Sequence, residues 1–272
     1  MKKIIPVLMA SVMMLTLFAF TGCKKEEPTL KLGLGVCTSV SATDATADKA
    51  GQGKATITAA AVLVDDEGKV VKAFIDCADN KVTYTTEGKA NANDSFKTKY
   101  ELGNDYGMVK SGSAKEWFEQ ADAFCALIVG KTAAEVKALV AENGKGTDAV
   151  ISAGCTITIS DFASAVVKAI DNATASNATK NDSLKLGVAT NQTPKDATAE
   201  KAGSNQLETY FFAAAVNAEG KVVAASSDCV QVKFTFDITG KSTFDATKEV
   251  LSKKEQGDNY GMKAYGGSAS DA

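Results

Sequence analysis

Ala55-Thr56-Ile57-Thr58-Ala59-Ala60-Ala61-Val62-Leu63-Val64 runs into Asp65-Asp66-Glu67-Gly68 and out again through Lys69-Val70-Val71. Apolar and β-branched residues on either side of a short polar break are the pattern of two strands joined by a turn. The three acids could be imagined around calcium, but the full loop of a calcium hand is absent, so they are read as a hairpin tip. Val70 to Asp76 is the returning strand, Asp79-Asn80 is expected to turn, and Lys81 to Thr86 to form a further strand. An antiparallel meander follows.

Much of this stretch is written twice. Leu30-Lys31-Leu32-Gly33 recurs as Leu184-Lys185-Leu186-Gly187, and Asp44 to Gly51 recurs with one change as Asp196 to Gly203. Glu67 to Val71 returns as Glu219 to Val223, Cys77 as Cys229, and the Tyr106-Gly107-Met108 turn as Tyr260-Gly261-Met262. A period this long excludes a short solenoid and points to repetition of one domain. In the second copy, Val230 to Asp237 alternates apolar and polar residues, as a half-buried strand does.

The copies differ in extent. Beyond its Tyr-Gly-Met turn the first continues into three helical patterns. Ser113-Ala114-Lys115-Glu116 and Thr132-Ala133-Ala134-Glu135 fit the reciprocal capping box. Trp117, Ala121, Phe124 and Ile128 then share one helix face, and Val136, Leu139 and Val140 another. Ser160 or Asp161 can cap a third helix with Phe162, Ala165, Val166, Ala169 and Ile170 inward. The fold class read from this is α+β: an antiparallel sheet meander covered by helices on one face, duplicated, with the second copy truncated. The expected layout is a signal over residues 1–23, a tether over 24–29, copy 1 over 30–173, a polar linker over 174–183, and a partial copy 2, sheet portion only, over 184–272. A sheet without its helices leaves an apolar face that invites association.

Composition excludes several chemistries. The chain has no histidine, and all its basic residues are lysines. Without histidine there is no Ser-His-Asp or Cys-His pair and no His-ligated zinc. Without arginine there is no bidentate clamp for phosphate or carboxylate. The net charge of −3 and scattered lysines lack the electrostatic footprint of a nucleic-acid binder. No paired acid–base constellation marks a conventional enzyme, and no tight cysteine spacing marks a metal site. Cys37 and Cys77 could meet on neighbouring strands as a disulfide, or the thiols serve as small core residues.

Lys2 and Lys3 precede an uncharged, largely apolar run from Ile4 to Phe20, which ends in Thr21-Gly22-Cys23. A basic start, a short apolar core and small residues before a cut describe a secretory signal. With cysteine at the cut, it resembles the bacterial lipoprotein signal. That resemblance implies a diacylated Cys23 as the new amino terminus, anchored in the lipid bilayer outside the cytoplasm, since two acyl chains suffice for stable anchoring. An uncleaved anchor or a plain secretory peptide is the alternative.

Ala153-Gly154-Cys155-Thr156-Ile157-Thr158 sits just before the third helix. Here the chain resembles the FMN-binding domain family, found in sodium-pumping quinone reductases and flavin-carrying surface lipoproteins. That family has a Ser-Gly-Ala-Thr stretch, often followed by x-Thr-Ser, ahead of a helix containing Ala and Val. Gly154, Thr156, Thr158, Ala165 and Val166 match; Ala153, Cys155 and Ile159 depart from the pattern. The resemblance implies FMN joined to Thr156 through a phosphoester by a separate transferase. Glycine would let the backbone approach the phosphate, and a helix N-terminus would favour its charge. The blander reading makes Thr156 and Thr158 strand residues facing solvent. Gly33-Leu34-Gly35 lacks the third glycine of a dinucleotide loop. Tyr106, Tyr260 and Trp117 could stack on a ligand but are read as turn and core packing.

Two functions remain open: flavin-borne electron transfer with a membrane quinone partner, or a non-catalytic surface module that binds a small ligand or partner protein and has lost the flavin site.

Overall fold

The computed structural model describes residues 27–265; Cys23 and the apolar run before it lie outside them. β1 (Leu30–Thr43), β2 (Gly51–Val64) and β3 (Val70–Tyr84) form an antiparallel meander. α1 (Lys99–Leu102) and a 3-10 turn (Gly103–Tyr106) follow, then α2 (Trp117–Leu127), α3 (Ala133–Lys137), α4 (Asp148–Ala153) and α5 (Ser160–Asp171). β4 (Thr174–Ala178) joins the edge of β1, giving the order β3-β2-β1-β4. β5 (Ser183–Lys195), β6 (Gly203–Val216) and β7 (Val222–Phe236) build a second antiparallel sheet, closed by α6 (Lys253–Gln256) and further 3-10 turns. The molecule is α+β, and no helix among the described residues is long and apolar enough to cross a membrane.

Three layers explain why the central strand reads as it does. Ala60, Val62 and Val64 pack beneath the helices, whereas Ala59, Ala61 and Leu63 pack against the second sheet. A strand covered on both faces loses its alternation and becomes a continuous apolar run, as Ala59 to Val64 is. On the helix side, α5 lies so close to β1 that a Cβ on Gly33 would stand 1.8 Å from the Ala169 carbonyl oxygen, and one on Gly35 would stand 2.4 Å from that of Ala165. Those two glycines are therefore a seat for a helix.

The sheets meet along a seam whose contacts are reciprocal. The Ala45 amide donates to the Gly240 carbonyl at 2.8 Å, and the Ala197 amide to Gly88 at 2.8 Å. Asp44 accepts from the Ser242 amide at 2.8 Å, and Asp196 from the Ala90 amide at 2.9 Å. Tyr84 and Phe236, at matching strand ends, stack on each other with centroids 4.3 Å apart. Each half offers the other the same groups, as partners do across an isologous interface.

Several expectations are corrected by tertiary contacts. Asp79-Asn80 does not turn; β3 runs through it unbroken. Asp79 accepts from Thr56 at 2.8 Å and pairs with Lys54 at 3.0 Å, while Asn80 donates across the seam to Thr190 and Thr209, each at 3.0 Å. Polar residues that suggest a turn are here satisfied by neighbours. Residues 174–183 are not a bare linker: they include β4, fastened where the Ser176 hydroxyl donates to the Leu30 carbonyl at 2.6 Å. The second half is more than sheet, since α6 follows a Ser252–Glu255 capping box matching the Thr98–Glu101 box of α1. The Thr132–Glu135 box forms, but Ser113 caps nothing: Glu116 is itself the N-cap of α2. Buried Glu116 accepts from the Met108 and Val109 amides at 2.8 and 3.0 Å, which holds the Tyr-Gly-Met turn against α2.

Candidate functional site

The Gly154–Thr158 segment is a surface loop between α4 and α5. Gly154 adopts φ +99° and ends α4, donating to the Val150 and Ile151 carbonyls, a left-handed conformation that suits glycine. Thr156 is exposed, and both its amide and its hydroxyl donate to the Gln120 Oε1, at 2.8 and 3.1 Å. Gln120 is 1 % exposed and also donates to the Lys115 carbonyl at 3.1 Å, so it moors the loop to α2. Sequence reasoning passed over Gln120; a polar residue inside the apolar stripe of α2 was its signal. Thr158 is exposed and bridges Lys145.

These residues fit one end of FMN and not the other. The Thr156 hydroxyl is accessible, and Lys115 reaches the Gly154 backbone, so a phosphoester there would have one cation nearby. Asp161 in the first turn of α5 already occupies the favourable end of that helix. Trp117 offers the ring no platform, since it is 4 % exposed and packs edge-on against Phe162.

The thiols belong to the core. Cys37 lies opposite Thr58, and Thr58 opposite Cys77, so β2 separates the two cysteines by two strand spacings, roughly 10 Å. A disulfide needs Cα atoms within about 7 Å, and all five described cysteines are free. Burial pushes the thiol of Cys125 up to about 12 and those of Cys77 and Cys155 up to about 11. Only the thiolate is nucleophilic. At pH 8, alkylation mapped by mass spectrometry should therefore find Cys37, which is partly exposed, modified first. Cys77, Cys125 and Cys155 should react about a hundredfold more slowly than in denaturant.

The repeated Tyr-Gly-Met turns are moored alike. Asp76 accepts from the Cys77 and Tyr100 amides at 2.6 and 3.1 Å, and Asp228 from those of Cys229 and Lys254 at 2.7 and 3.2 Å. Lys99 lies 5.2 Å over Tyr106 and Lys253 5.0 Å over Tyr260. The tyrosines are thus engaged within the fold, as turn packing requires.

The two halves diverge on their outer faces. Opposite Gly35 stands Ala60, and opposite Gly187 stands Phe212, so strand pairing matches Gly187 to Gly35 rather than to Gly33. Ala60, Val62, Val70 and Ile75 are buried beneath helices; among the described residues no helix lies over the corresponding Phe212, Ala214, Val222 and Ser227. Phe212 is 52 % and Val222 62 % exposed. They border a groove of about 680 Å³, walled by Asn172 at the end of α5 and by Lys254 and Glu255 of α6. Among the described residues, the second sheet is thus covered on one face by the first sheet and open on the other. Around the groove, Glu255 pairs with Lys168, and Glu208 with Lys253 at 3.3 Å. Lys254 donates to the Ser226 hydroxyl at 3.4 Å.

No family model, no curated protein and no solved structure matches this chain. The described residues also contain no cluster of acids and thiols able to hold a metal ion.

Proposed function

We propose that the chain is a non-catalytic binding module, tethered outside the cytoplasm by a lipidated Cys23, whose working surface is the open face of the β5–β7 sheet. The observation that carries this reading is Phe212, a phenylalanine half in water at the position where the first half has a buried alanine. Phe212 and Val222 are both exposed at the groove, and solvated faces select against large apolar side chains gathered in this way, so that such patches mark interaction sites. The absence of histidine and arginine from the sequence accords with a role that needs apolar contact rather than acid–base work.

A photoreactive phenylalanine analogue at position 212, in the tethered protein on its host cell, should give a discrete crosslinked adduct. The same analogue at exposed Ser152 on α4 should give none. Equal yields from both positions would remove the open face as the working surface.

A second reading rests on the exposed Thr156 hydroxyl. In it, Thr156 carries FMN as a phosphoester and the protein exchanges electrons with membrane quinones. Coexpression with a transferase of the same host should then add a flavin-sized mass that maps to Thr156 and disappears in Thr156→Ala. A colourless, unmodified product ends that reading.

A further inference from the structure

Resting on the binding role proposed above, we infer that the open groove receives an amphipathic α-helix from another polypeptide, one with large apolar side chains on its inner face and acids along its flank.

The first half shows what covers such a face. There α2 lies across β3, with Phe124, Ala121 and Cys125 buried against Val70, Ile75 and Cys77. In the second half β7 holds the place of β3 and α6 that of α1, yet nothing among the described residues lies where α2 would. The groove starts where α5 and α6 stop, so an added helix would continue an existing layer. Packed helices and their supports lie roughly 10 Å apart, and a wall on one side favours a rod over a flat sheet.

The floor has been changed for a different helix from α2. Ile75 is replaced by Ser227 and Val62 by Ala214, which lowers the floor. Large side chains on the incoming helix would fill that space, as close packing demands. On the far side Phe212 rises, and Lys185, paired with Ala214, stands where Gly33 receives α5. A helix seated like α5 is thereby excluded, and the seat over β7 is the one left open.

Charge specifies the flank. The acids at the rim, Glu208 and Glu255, are already paired with Lys253 and Lys168. Lys254 meets only the Ser226 hydroxyl among its described contacts through Nζ, and Lys185 is exposed on the same face. Acids on the incoming helix would answer these two lysines. Such partly exposed pairs set orientation more than affinity.

The probe is a fluorescein-labelled synthetic peptide covering residues 116–128 with Ala121→Leu and Cys125→Leu, this chain's own acidic, aromatic helix enlarged on its inner face to meet the lowered floor. Titrated with the full mature protein, its anisotropy should rise and saturate. Phe212→Asp should weaken binding by about tenfold or more, and Lys254→Glu by a few-fold. Ser152→Asp should leave it unchanged. Phe212 is half exposed, so the variant is expected to fold; Phe212→Ser and a thermal melt check this. No saturation, or equal binding by Phe212→Asp, overturns the inference. So does sedimentation showing a dimer that Phe212→Asp disperses, because a second copy then fills the groove. A crosslink at position 212 with no peptide binding would leave the binding role standing and remove the helix.

Discussion

Gly33→Ala should lower the stability of the protein by about 3 kcal/mol or more, at the upper end of what overpacking costs. The added methyl would stand 1.8 Å from the Ala169 carbonyl oxygen. That atom belongs to the backbone of α5 and cannot rotate away as a side chain would. Gly35→Ala meets the Ala165 carbonyl oxygen and the Ala169 amide nitrogen, each at 2.4 Å, and should cost a similar amount. Against a typical total of about 5–15 kcal/mol, either change is severe. Gly187→Ala is the internal control. Its nearest obstacle is the Phe212 carbonyl oxygen at 4.0 Å, so its effect should stay within about 0.5 kcal/mol. Urea denaturation of the three variants measures all of this. Equal midpoints for Gly33→Ala and Gly187→Ala would mean that α5 does not sit on β1 as described.

The second large effect lies at the seam. Tyr84 and Phe236 are both 0 % exposed, stacked at an interplanar angle of 7°, and the Tyr84 hydroxyl donates to the Thr43 carbonyl at 2.7 Å. Truncating either ring to alanine should cost about 3–5 kcal/mol, because the surrounding strands cannot collapse into the space. The double variant should cost less than the sum by about 1 kcal/mol, the coupling expected of touching rings. Tyr84→Phe isolates the hydroxyl and should cost about 1 kcal/mol. Fluorescence of Trp117 in the helix layer and circular dichroism of both sheets should lose structure in one transition. Separate transitions would show that the seam does not unite the halves.

The sequence announced its local structure better than its long-range structure. The meander, the Asp65 turn, the Thr132 box and the inward face of α5 follow from spacing alone, because each depends on residues a few positions apart. Asp65 illustrates this: its carboxylate accepts from the Glu67 and Lys69 amides at 3.0 and 2.9 Å, a bond pattern contained in the turn itself. Asp79-Asn80 misled because its partners, Thr56, Thr190 and Thr209, are remote in sequence. The same holds for β4, whose small polar residues resemble a linker until β1 lies beside them. The disulfide alternative for Cys37 and Cys77 fails for a geometrical reason: they lie on β1 and β3, and β2 stands between them in the sheet, which leaves the reading as core residues. The Thr156 segment stood out by its Gly-x-Thr-x-Thr spacing, with strand as the bland reading, whereas the structure makes it a loop after α4; Gln120 beneath it was not legible. The open face was anticipated only as a whole bare sheet. Which side the first sheet covers depends on the seam, and no stretch of sequence encodes that by itself.

β1 also decides how the molecule bears mechanical load. Any pull at the amino end reaches Leu30 first and runs along a strand matched residue by residue to β2 from Lys31 to Thr43. Force along that axis stretches the whole ladder of amide bonds in shear, whereas force across it would peel them one after another. With α5 packed on one side of the strand and β7 on the other, a pull at that end is borne by a strand held on both of its faces.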